Sequence, residues 1–389
     1  MSEKNTLLFH DTFITRSGAE RMNINMATIL DTDIATAIWS THCYNPEELG
    51  YHGRIFEVFH NFHKWWMGFF RMKWGFFWSR HITKNYDRVI LSNEAITALH
   101  LIKKGTQTVY YAHSLPHELF DKRKEYMKKI LFFFHEFVIV TLWMRKRLYI
   151  YELRKVQKII TNSQMNQKWL MEWSGRTDIE VIYPPVNMLR FRPAKEKTSF
   201  IVQEHNNVES LLEREVHDYY ISLARLTIPK RIDRIIHAFI HTPEKNLIIL
   251  YNPYDTAIEY YMQLARGYSN IFFHHEPSDL KLVKIISSAV ASIAVSKNED
   301  FGMVAIESMA CGIPVIAVDE WGYRETVIHG KTWILLPAEF TVYNIIDAVK
   351  DMTPSKSLSM KQSCLERATE FSLEDFTIKI KQTLESTKK

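Results

Sequence analysis

The stretch SKNEDFGMVAIESMACGIP occupies residues Ser296–Pro314. It follows the apolar run Ala291–Val295, which is typical of a buried parallel strand, and a helical pattern starts at about Gly302. A strand, a short loop and a helix in this order leave backbone N–H groups unpaired at the helix start, where anions bind. The stretch therefore predicts an α/β domain with an anion site beyond one of its strands.

Two carboxylates in this stretch, Glu299 and Glu307, are eight residues apart. One continuous helix would place them on different faces, so we predict Glu299 in the loop and Glu307 on the helix. Both then face a ligand across the helix start, where a carboxylate accepts hydrogen bonds from paired hydroxyls. The amides around Phe301, Gly302 and Met303 suit a phosphate, because Gly302 permits close approach of the backbone. The alternative is a solvated loop glutamate and a glutamate on the helix surface.

The same stretch resembles the Glu-x7-Glu signature of the family 4 retaining glycosyltransferases. The matching positions are Glu299, Phe301, Gly302, Glu307, Ala310, Gly312 and Pro314. The resemblance implies an α/β architecture, the GT-B fold, in which two Rossmann-like domains with parallel sheets face each other across a cleft. It also implies that Glu299 holds hydroxyls of the donor sugar and that Glu307 holds the ribose of the nucleotide.

Composition sets broad limits on the class of protein. A chain of 389 residues can form two α/β domains, and 46% hydrophobic with 24% charged residues is typical of folded proteins. The three cysteines have no paired or metal-ligand spacing, which predicts a reducing compartment. Residues 1–10 lack the core of a signal peptide, so we expect a cytoplasmic protein. A net charge of +5 with 13% aromatic residues favours a membrane surface over nucleic acid as a partner.

The first strand is predicted at Thr6–His10, and the loop after it enters a helix near Gly18. In this βα turn, Ser17 and Gly18 can cap the helix and present amides to an anion, which makes Gly18 a donor-binding candidate. The segment resembles the Gly-Gly-Ala-Glu-Arg start of the same family, with Ser17 in place of the first glycine. An ordinary turn is the alternative.

The sequence Asp31-Thr32-Asp33 matches the Asp-x-Asp metal motif of the other large glycosyltransferase fold. It precedes the predicted strand Ile34–Trp39 and so lies at the amino end of that strand. Ligands of open α/β sheets bind beyond the carboxyl ends instead. We therefore predict no metal ion and no cofactor apart from the nucleotide-sugar substrate.

A histidine follows the second of two more predicted strands, Arg88–Ser92 and Thr108–Ala112. His113 stands at the carboxyl end of its strand, and Pro116 then stops regular structure, so the side chain is expected to point into the ligand crevice. The segment YYAHSLPHELFD resembles the Tyr-Cys-His-Thr-Pro segment of lipid-linked mannosyltransferases. This resemblance implies that His113 contacts the donor sugar near the reacting carbon, whereas a structural histidine is the alternative.

Two segments, 59–81 and 130–150, combine apolar and basic residues. The first has four tryptophans and six phenylalanines interleaved with lysine and arginine, and the second begins with ILFFFHEFVIVTLWM and continues with RKR. Neither contains 18 consecutive apolar residues, so neither is expected to span a membrane. Rings and cations together suit the lipid headgroup region, which makes peripheral membrane contact one interpretation and packing within the domain the other.

Two cations lie in the loop of the predicted turn ARLTIPKRIDRIIHAF. Arg225 and Lys230 flank Pro229 and can both reach a diphosphate, where they would stabilise the leaving group as its bond breaks. The segment resembles the family's Gly-Arg-Leu-x4-Lys-Gly, with Ala224 and Arg231 in place of the glycines.

Strands and helices alternate through the rest of the chain, which implies parallel sheets with right-handed crossovers. Further strands are predicted at Lys158–Thr161, Asp178–Tyr183, Tyr219–Leu223, Asn246–Tyr251, Ile271–His274, Ala291–Val295 and Pro314–Val318. The charged segment Ala194–His217 indicates a boundary, so we predict an N-terminal acceptor domain over 1–195 and a C-terminal nucleotide-sugar domain over 196–372. A helix over 373–389 is expected to cross back to the first domain.

The sequence EWGYRETVIHGKTWILLP resembles the family's Gly-Gly-x-x-Glu-Thr-Val-x-x-Gly-x-x-Gly, with Trp321 and Trp333 in place of glycines. Trp321 is the departure that matters most, because the family's glycine opens space beside the donor or acceptor. The indole either narrows this pocket or stacks on a sugar.

The resemblance as a whole implies transfer of a hexose from a nucleotide sugar to a glycan or lipid-linked acceptor with retained configuration. Mannose is favoured and glucose is the second choice, with His113, Arg225, Lys230 and Glu299 as the catalytic set. Two other classes of protein stay open. One is a nucleotide-sugar epimerase of the same fold, and the other is a catalytically silent scaffold at a membrane.

Overall fold

A computed structural model describes residues 5–58, 80–128, 135–196, 199–205, 211–252, 255–275 and 278–387. The chain divides into two compact units. Unit 1 consists of Met1–Tyr183 and Thr377–Lys389, and unit 2 consists of Pro184–Phe376. The division thus falls at 183/184, twelve residues before the boundary that the charged segment suggested.

Unit 1 contains a parallel sheet of seven strands in the order β3-β2-β1-β4-β5-β6-β7. The strands are β1 (Thr6–Phe13), β2 (Asp33–Trp39), β3 (Ile55–Glu57), β4 (Arg88–Ser92), β5 (Gln107–Ala112), β6 (Lys158–Thr161) and β7 (Glu180–Val181). The helices are α1 (Gly18–Ile29), α2 (Arg80–Thr83), α3 (Arg123–Met127), α4 (His135–Lys155) and α5 (Gln164–Ser174), with short 3₁₀ turns at Glu47–Leu49, Asn93–Leu101 and His117–Leu119. The centre of β4, Val89–Leu91, is apolar and buried, because helices cover both faces of a parallel sheet.

Unit 2 contains a parallel sheet of six strands in the order β12-β11-β10-β13-β14-β15 and a separate antiparallel pair, β8-β9. The strands are β8 (Phe200–His205), β9 (Leu211–Val216), β10 (Tyr219–Leu223), β11 (Asn246–Leu250), β12 (Ile271–His274), β13 (Ala291–Ala294), β14 (Val315–Val318) and β15 (Leu335–Leu336). The helices are α6 (Ile232–Ile240), α7 (Ile258–Leu264), α8 (Asp279–Ser288), α9 (Met303–Ala310), α10 (Tyr323–Thr326), α11 (Val342–Asp351) and α12 (Pro354–Thr369), with a 3₁₀ turn at Ile228–Lys230. The last helix, α13 (Leu373–Ser386), starts in unit 2 and continues into unit 1.

The pair β8-β9 corrects one expectation from the sequence. The charge of residues 194–217 indicated a boundary between domains, yet Phe200–His205 and Leu211–Val216 within this segment form an antiparallel pair inside unit 2. Phe200 and Val216 are partners in its register, and both side chains are buried. Burial of these two apolar side chains stabilises the strand pair although the segment is rich in charged residues. The composition alone did not reveal this packing.

In each parallel sheet, the order in which the chain adds strands reverses at an internal point. In unit 1 the chain builds from β1 outward through β2 and β3, and then restarts at β4 on the other side of β1. Unit 2 repeats this arrangement, with β10 followed outward by β11 and β12, and with β13 on the other side of β10. Open α/β sheets bind ligands beyond the carboxyl ends of their strands at such switch points. The pairs β1/β4 and β10/β13 therefore mark the place to look for a site in each unit.

Candidate functional site

The switch point of unit 2 is formed by the loops after β10 and β13. The first loop contains Arg225 and Lys230, and the second contains Glu299. A backbone bond from Lys297 N–H to the Pro229 carbonyl, 2.7 Å long, ties the two loops together. The structure thus brings the predicted cations and the first predicted carboxylate to one edge of one sheet.

Lys230 and Glu299 form an ion pair at this edge. The Lys230 Nζ atom donates to Glu299 Oε2 at 2.6 Å, and both side chains are about a quarter exposed. Arg225 is exposed, and within the described ranges its guanidinium has no carboxylate partner. A diphosphate at this edge would meet one unpaired cation and one cation that an internal carboxylate currently neutralises.

The second carboxylate, Glu307, lies in α9 and is buried. Helix α9 begins at Met303, and its N-cap residue Gly302 has a left-handed backbone with φ 89°. Among the described residues, the amides of Gly302 and Met303 donate to no backbone or side-chain acceptor. The loop placement of Glu299 and the helical placement of Glu307 confirm the prediction that no single helix carries both.

Two glycines permit the close packing around this helix start. A Cβ atom on Gly302 would lie 2.8 Å from the ring of Tyr323, and one on Gly322 would lie 2.3 Å from the Cα atom of Phe301. The Gly322 amide also donates to the Glu299 carbonyl at 3.0 Å. The loop before α10 therefore lies directly against the loop that carries Glu299, and Phe301 is buried between them.

A second ion pair, which the sequence did not predict, links all three loops. Arg231 donates to Glu320 Oε1 at 3.1 Å, and both side chains are 12% exposed. The other oxygen, Oε2, accepts from the Asn298 amide at 3.3 Å. Because 89 residues separate Arg231 from Glu320 along the chain, no local pattern could have shown that they meet.

Two residues that replace family glycines keep the backbone conformation of glycine. Arg231 has φ 53° and Trp321 has φ 44°, both in the left-handed region. A side chain costs on the order of 1 kcal/mol there, and for a bulky residue such a φ is an outlier that often marks a functional site. The Trp321 side chain is partly buried. The loops thus keep a backbone conformation that favours glycine, although these two positions carry a guanidinium and an indole.

In unit 1, His113 follows β5 as predicted, and its side chain is buried. Its Nε2 atom lies 3.3 Å from Asn23 Oδ1, and its backbone carbonyl accepts from Asn162 at 2.7 Å. Burial lowers the pKa of His113 well below its usual value, and the nearby His10 ring lowers it further. The ring is therefore a neutral hydrogen-bonding group at physiological pH. Its predicted contact with a sugar stays a prediction.

The switch point of unit 1 contains a histidine and an aspartate that sequence analysis did not single out. His10 is the last residue of β1 that pairs with β4, opposite Ser92, and Asp11 is the next residue. Burial raises the pKa of the Asp11 carboxyl to about 7 and lowers that of His10 to about 4. The adjacent His-Asp sequence was visible, but its position depends on strand order, which a local motif does not encode.

Gly18 is the first residue of α1, after the N-cap residue Ser17. The Ser17 hydroxyl donates to the Glu20 carboxylate and accepts no helix amide, so the predicted side-chain cap is absent. The Glu20 carboxylate lies in the first turn of α1 and also stabilises the helix start, because a negative charge interacts favourably with the unpaired backbone N–H groups there. Donor binding by Gly18 stays a prediction.

The Asp-x-Asp motif lies at the amino end of β2, where Asp33 has partners within unit 1. Its carboxylate accepts from Tyr86 at 2.6 Å and from Arg54 at 2.7 Å. Although burial opposes ionisation, the bonds from Tyr86 and Arg54 lower the pKa of Asp33. This carboxylate therefore has a structural role that explains its presence without a metal.

Of the two apolar and basic segments, residues 59–79 and 129–134 lie outside the described residues. Most of the second segment forms α4, which packs Leu142, Tyr149 and Leu153 into the core of unit 1. The opposite face of α4 also has large apolar side chains, all more than half exposed, namely Phe137, Val140, Trp143, Met144 and Tyr151. Among the helices that the structure describes, none is long and apolar enough to cross a membrane.

The second half of the chain is similar to a known family. Residues 203–370 match the family model of the group 1 glycosyl transferases. The chain is 26% identical over 196 residues to a D-inositol 3-phosphate glycosyltransferase of Streptomyces bingchenggensis, an alignment that covers 46% of this chain and 42% of that protein. It is 22% identical over 320 residues to human alpha-1,3/1,6-mannosyltransferase ALG2, covering 76% of this chain and 72% of the relative. The chain thus spans less than half of the first relative and about three quarters of the second.

Solved structures are similar to this chain over nearly its whole length. Anabaena HepE in complex with UDP and glucose matches with a TM-score of 0.72 at 16% identity, over 98% of this chain and 99% of that one. Sucrose-phosphate synthase of Thermosynechococcus elongatus matches with a TM-score of 0.75 at 16% identity, over 98% of each chain. The predicted GT-B fold is therefore confirmed.

Proposed function

We propose that this protein transfers a hexose from a nucleotide-diphosphate sugar to an acceptor hydroxyl, since residues 203–370 match the model of the group 1 glycosyl transferases and the chain has the GT-B fold. The observation that carries the proposal is the group of charges at the switch point of unit 2. Two cations and a carboxylate at the ends of adjacent strands match the two halves of such a donor, its diphosphate and its sugar hydroxyls.

In the proposed reaction, these residues and the start of α9 bind different parts of the donor. Arg225 and Lys230 bind the diphosphate and stabilise the charge that grows on it as the sugar C1–O bond breaks. The amides of Gly302 and Met303, next to Phe301, bind a phosphate oxygen at the start of α9. Glu299 accepts hydrogen bonds from sugar hydroxyls, and the buried Glu307 accepts them from the ribose.

Donor binding must open the Lys230–Glu299 ion pair, because each partner then has a new ligand group. The acceptor oxygen forms its bond to C1 on the face that the diphosphate leaves, and the acceptor proton passes to the departing diphosphate. Configuration is thereby retained without a covalent intermediate. In this scheme His113 orients the sugar as a neutral hydrogen-bonding group, and Gly18 contributes an amide to the donor phosphates.

The comparisons support two choices of sugar. Human ALG2 is named a mannosyltransferase, whereas the structure of Anabaena HepE contains UDP and glucose. We favour mannose because the aligned part of ALG2 covers most of both chains. The acceptor in this proposal is a glycan or a lipid-linked hydroxyl.

A donor panel tests the proposal. GDP-, UDP- and ADP-sugars are titrated against the wild-type protein and the variants Arg225→Ala and Glu307→Ala, with calorimetry for binding and product analysis for hydrolysis. One donor should bind the wild type, and each variant should weaken it at least tenfold. A wild type that binds no nucleotide sugar would refute the proposal and favour a silent scaffold. Release of an epimerised sugar would favour an epimerase of the same fold.

We also propose that the exposed face of α4 contacts the headgroup region of an anionic membrane. Arg147 lies 5.3 Å from the ring of Trp143, and Lys155 lies 5.6 Å from the ring of Tyr151. Exposed rings with cations beside them suit an anionic membrane, because the rings contact the acyl chains and the cations contact the negatively charged headgroups. The three cysteines are buried and unpaired, which fits a reducing compartment and hence the cytoplasmic side.

Vesicle sedimentation tests this contact. The wild type should sediment with mixed phosphatidylcholine and phosphatidylglycerol vesicles, and less with phosphatidylcholine alone. Replacing both Phe137 and Trp143 by serine should reduce sedimentation, whereas Tyr343→Ser, at an even more exposed ring of unit 2, should not. Equal sedimentation of the double variant and the wild type would contradict the assignment of this face.

A further inference from the structure

The switch point of unit 1 has a polar group that the proposed reaction has not yet used. Strand β1 extends past the end of β4, so Asp11 is the first residue of β1 without a β4 partner. This is the position in the sheet where open α/β domains bind ligands. The equivalent position in unit 2 carries the Arg225 and Lys230 loop, so both switch points have charged residues.

A chain of polar contacts lies behind Asp11. His113 Nε2 lies 3.3 Å from Asn23 Oδ1, Asn23 Nδ2 lies 3.2 Å from His10 Nδ1, and His10 Nδ1 lies 3.1 Å from Asp11 Oδ1. Asn23 Nδ2 also donates to the Ala19 carbonyl at 2.9 Å, which fixes the orientation of the amide. Ser92 Oγ contacts His10 Nδ1 at 3.1 Å as well. The His10 ring is therefore fixed by polar partners, and its Nδ1 atom lies against one oxygen of Asp11.

Asp11 is the exposed end of this buried chain. Its side chain is 19% exposed, whereas that of His10 is 3% exposed. In the described part of the chain, the Asp11 carboxyl contacts His10 and backbone amides, and no lysine or arginine pairs with it. A carboxyl that is largely desolvated, oriented by a fixed ring and free of a cation is suited to accept hydrogen bonds from neutral hydroxyls.

We propose that Asp11 binds a hydroxyl of the acceptor in unit 1, and that His10 and Asn23 are positioning residues behind it. The inference rests on the proposed function, since it supplies the acceptor side of that reaction. The ligand class is a neutral polyol, a sugar or cyclitol ring with adjacent hydroxyls, because no lysine or arginine of the described residues pairs with the Asp11 carboxyl and could hold an anionic ligand.

A binding experiment with two simple polyols tests this site. Methyl α-mannopyranoside and myo-inositol are titrated by ligand-observed NMR against the wild type, Asp11→Asn and Asp87→Asn. Asp87 is a matched control, because it is an exposed aspartate in the same unit. It lies just before β4, at the amino-terminal end of that strand, whereas Asp11 lies beyond the carboxyl end of β4. Calorimetry of the nucleotide-sugar donor with the same three proteins reports on unit 2.

At about pH 8, where the Asp11 carboxyl is mostly ionised, at least one polyol should bind the wild type, and Asp11→Asn should weaken this binding about tenfold or more, because a charged acceptor is lost. Asp87→Asn should change the affinity less than twofold, and donor affinity should stay the same in all three proteins. Equal polyol binding by Asp11→Asn and the wild type would overturn the inference, as would a wild type that binds neither polyol. If the wild type binds no nucleotide-sugar donor, the proposed function is refuted. This outcome is distinguishable from failure of the Asp11 site, because polyol binding is measured without donor.

Discussion

Replacing Asp11 by asparagine should stabilise unit 1 at alkaline pH, in contrast to the usual effect of altering a buried residue. The carboxyl has an ordinary pKa of 3.8, and burial raises this pKa to about 7 in the folded protein. At 1.36 kcal/mol per pKa unit, the shift corresponds to roughly 4 kcal/mol. Asparagine has nearly the same shape and no charge, so it removes this cost.

The sign follows from proton binding. Between about pH 4 and pH 7 the unfolded chain has lost the Asp11 proton and the folded chain still holds it, so stability falls as pH rises. His10, whose pKa is lowered to about 4, acts in the opposite direction, but it is present in both proteins and cancels in the comparison. The stability difference between Asp11→Asn and the wild type should grow by about 2 to 3 kcal/mol from about pH 5 to about pH 8.

Hydrogen exchange of peptides from β1 measures this difference, because protection of core strands reports the free energy of opening. From about pH 5 to about pH 8, the factor by which the β1 amides of Asp11→Asn exchange more slowly than those of the wild type should grow roughly 30- to 150-fold. Peptides from β10 in unit 2 should be unchanged, and Asp87→Asn should match the wild type. An equal difference at both pH values would refute the reasoning, since the carboxyl would then not be desolvated.

Three further predictions concern unit 2. Lys230→Gln should weaken donor binding roughly 10- to 100-fold in calorimetry, because it removes a phosphate cation and leaves Glu299 unpaired, and unchanged affinity would contradict the role of Lys230. Gly322→Ala should lower the free energy of unfolding by about 1 to 3 kcal/mol or more, since its Cβ would overlap Phe301, and an unchanged melting temperature would argue against this packing. Trp321→Gly should remove about 1 kcal/mol of backbone strain, partly offset by chain entropy. If the indole stacks on a sugar, the same variant should raise the donor or acceptor KM, whereas a lower KM would mean that the indole narrows the pocket.

The fold could be predicted from the sequence where apolar periodicity is strong. Strands such as Arg88–Ser92 and Ile271–His274 were predicted to the residue, because continuous apolar runs between polar loops define buried parallel strands. The pair β8-β9 was missed because its charges dominate the composition and two buried residues anchor it. Short edge strands such as β3 and β15 have too few residues to show a period.

The candidate site was predictable only where its residues are close in sequence. Glu299, Gly302 and Glu307 lie within one strand, loop and helix, so their relative placement follows from local geometry. The contact between Arg231 and Glu320 depends on tertiary structure, and so does the position of Asp11 at a switch point. Strand order decides both, and it is a property of the whole domain.

The route of the last helix has a consequence for how the protein is made. Arg88 and Gln107 both donate to the Leu384 carbonyl, and Thr383 donates to Glu180 at 2.8 Å, so the end of α13 completes unit 1. A ribosome releases these residues only after all of unit 2. Unit 2 can therefore fold during synthesis, as domains generally do, while unit 1 waits for its final piece with part of its apolar surface exposed. Proteases and chaperones should accordingly encounter the first-made half of the chain for longer than the second.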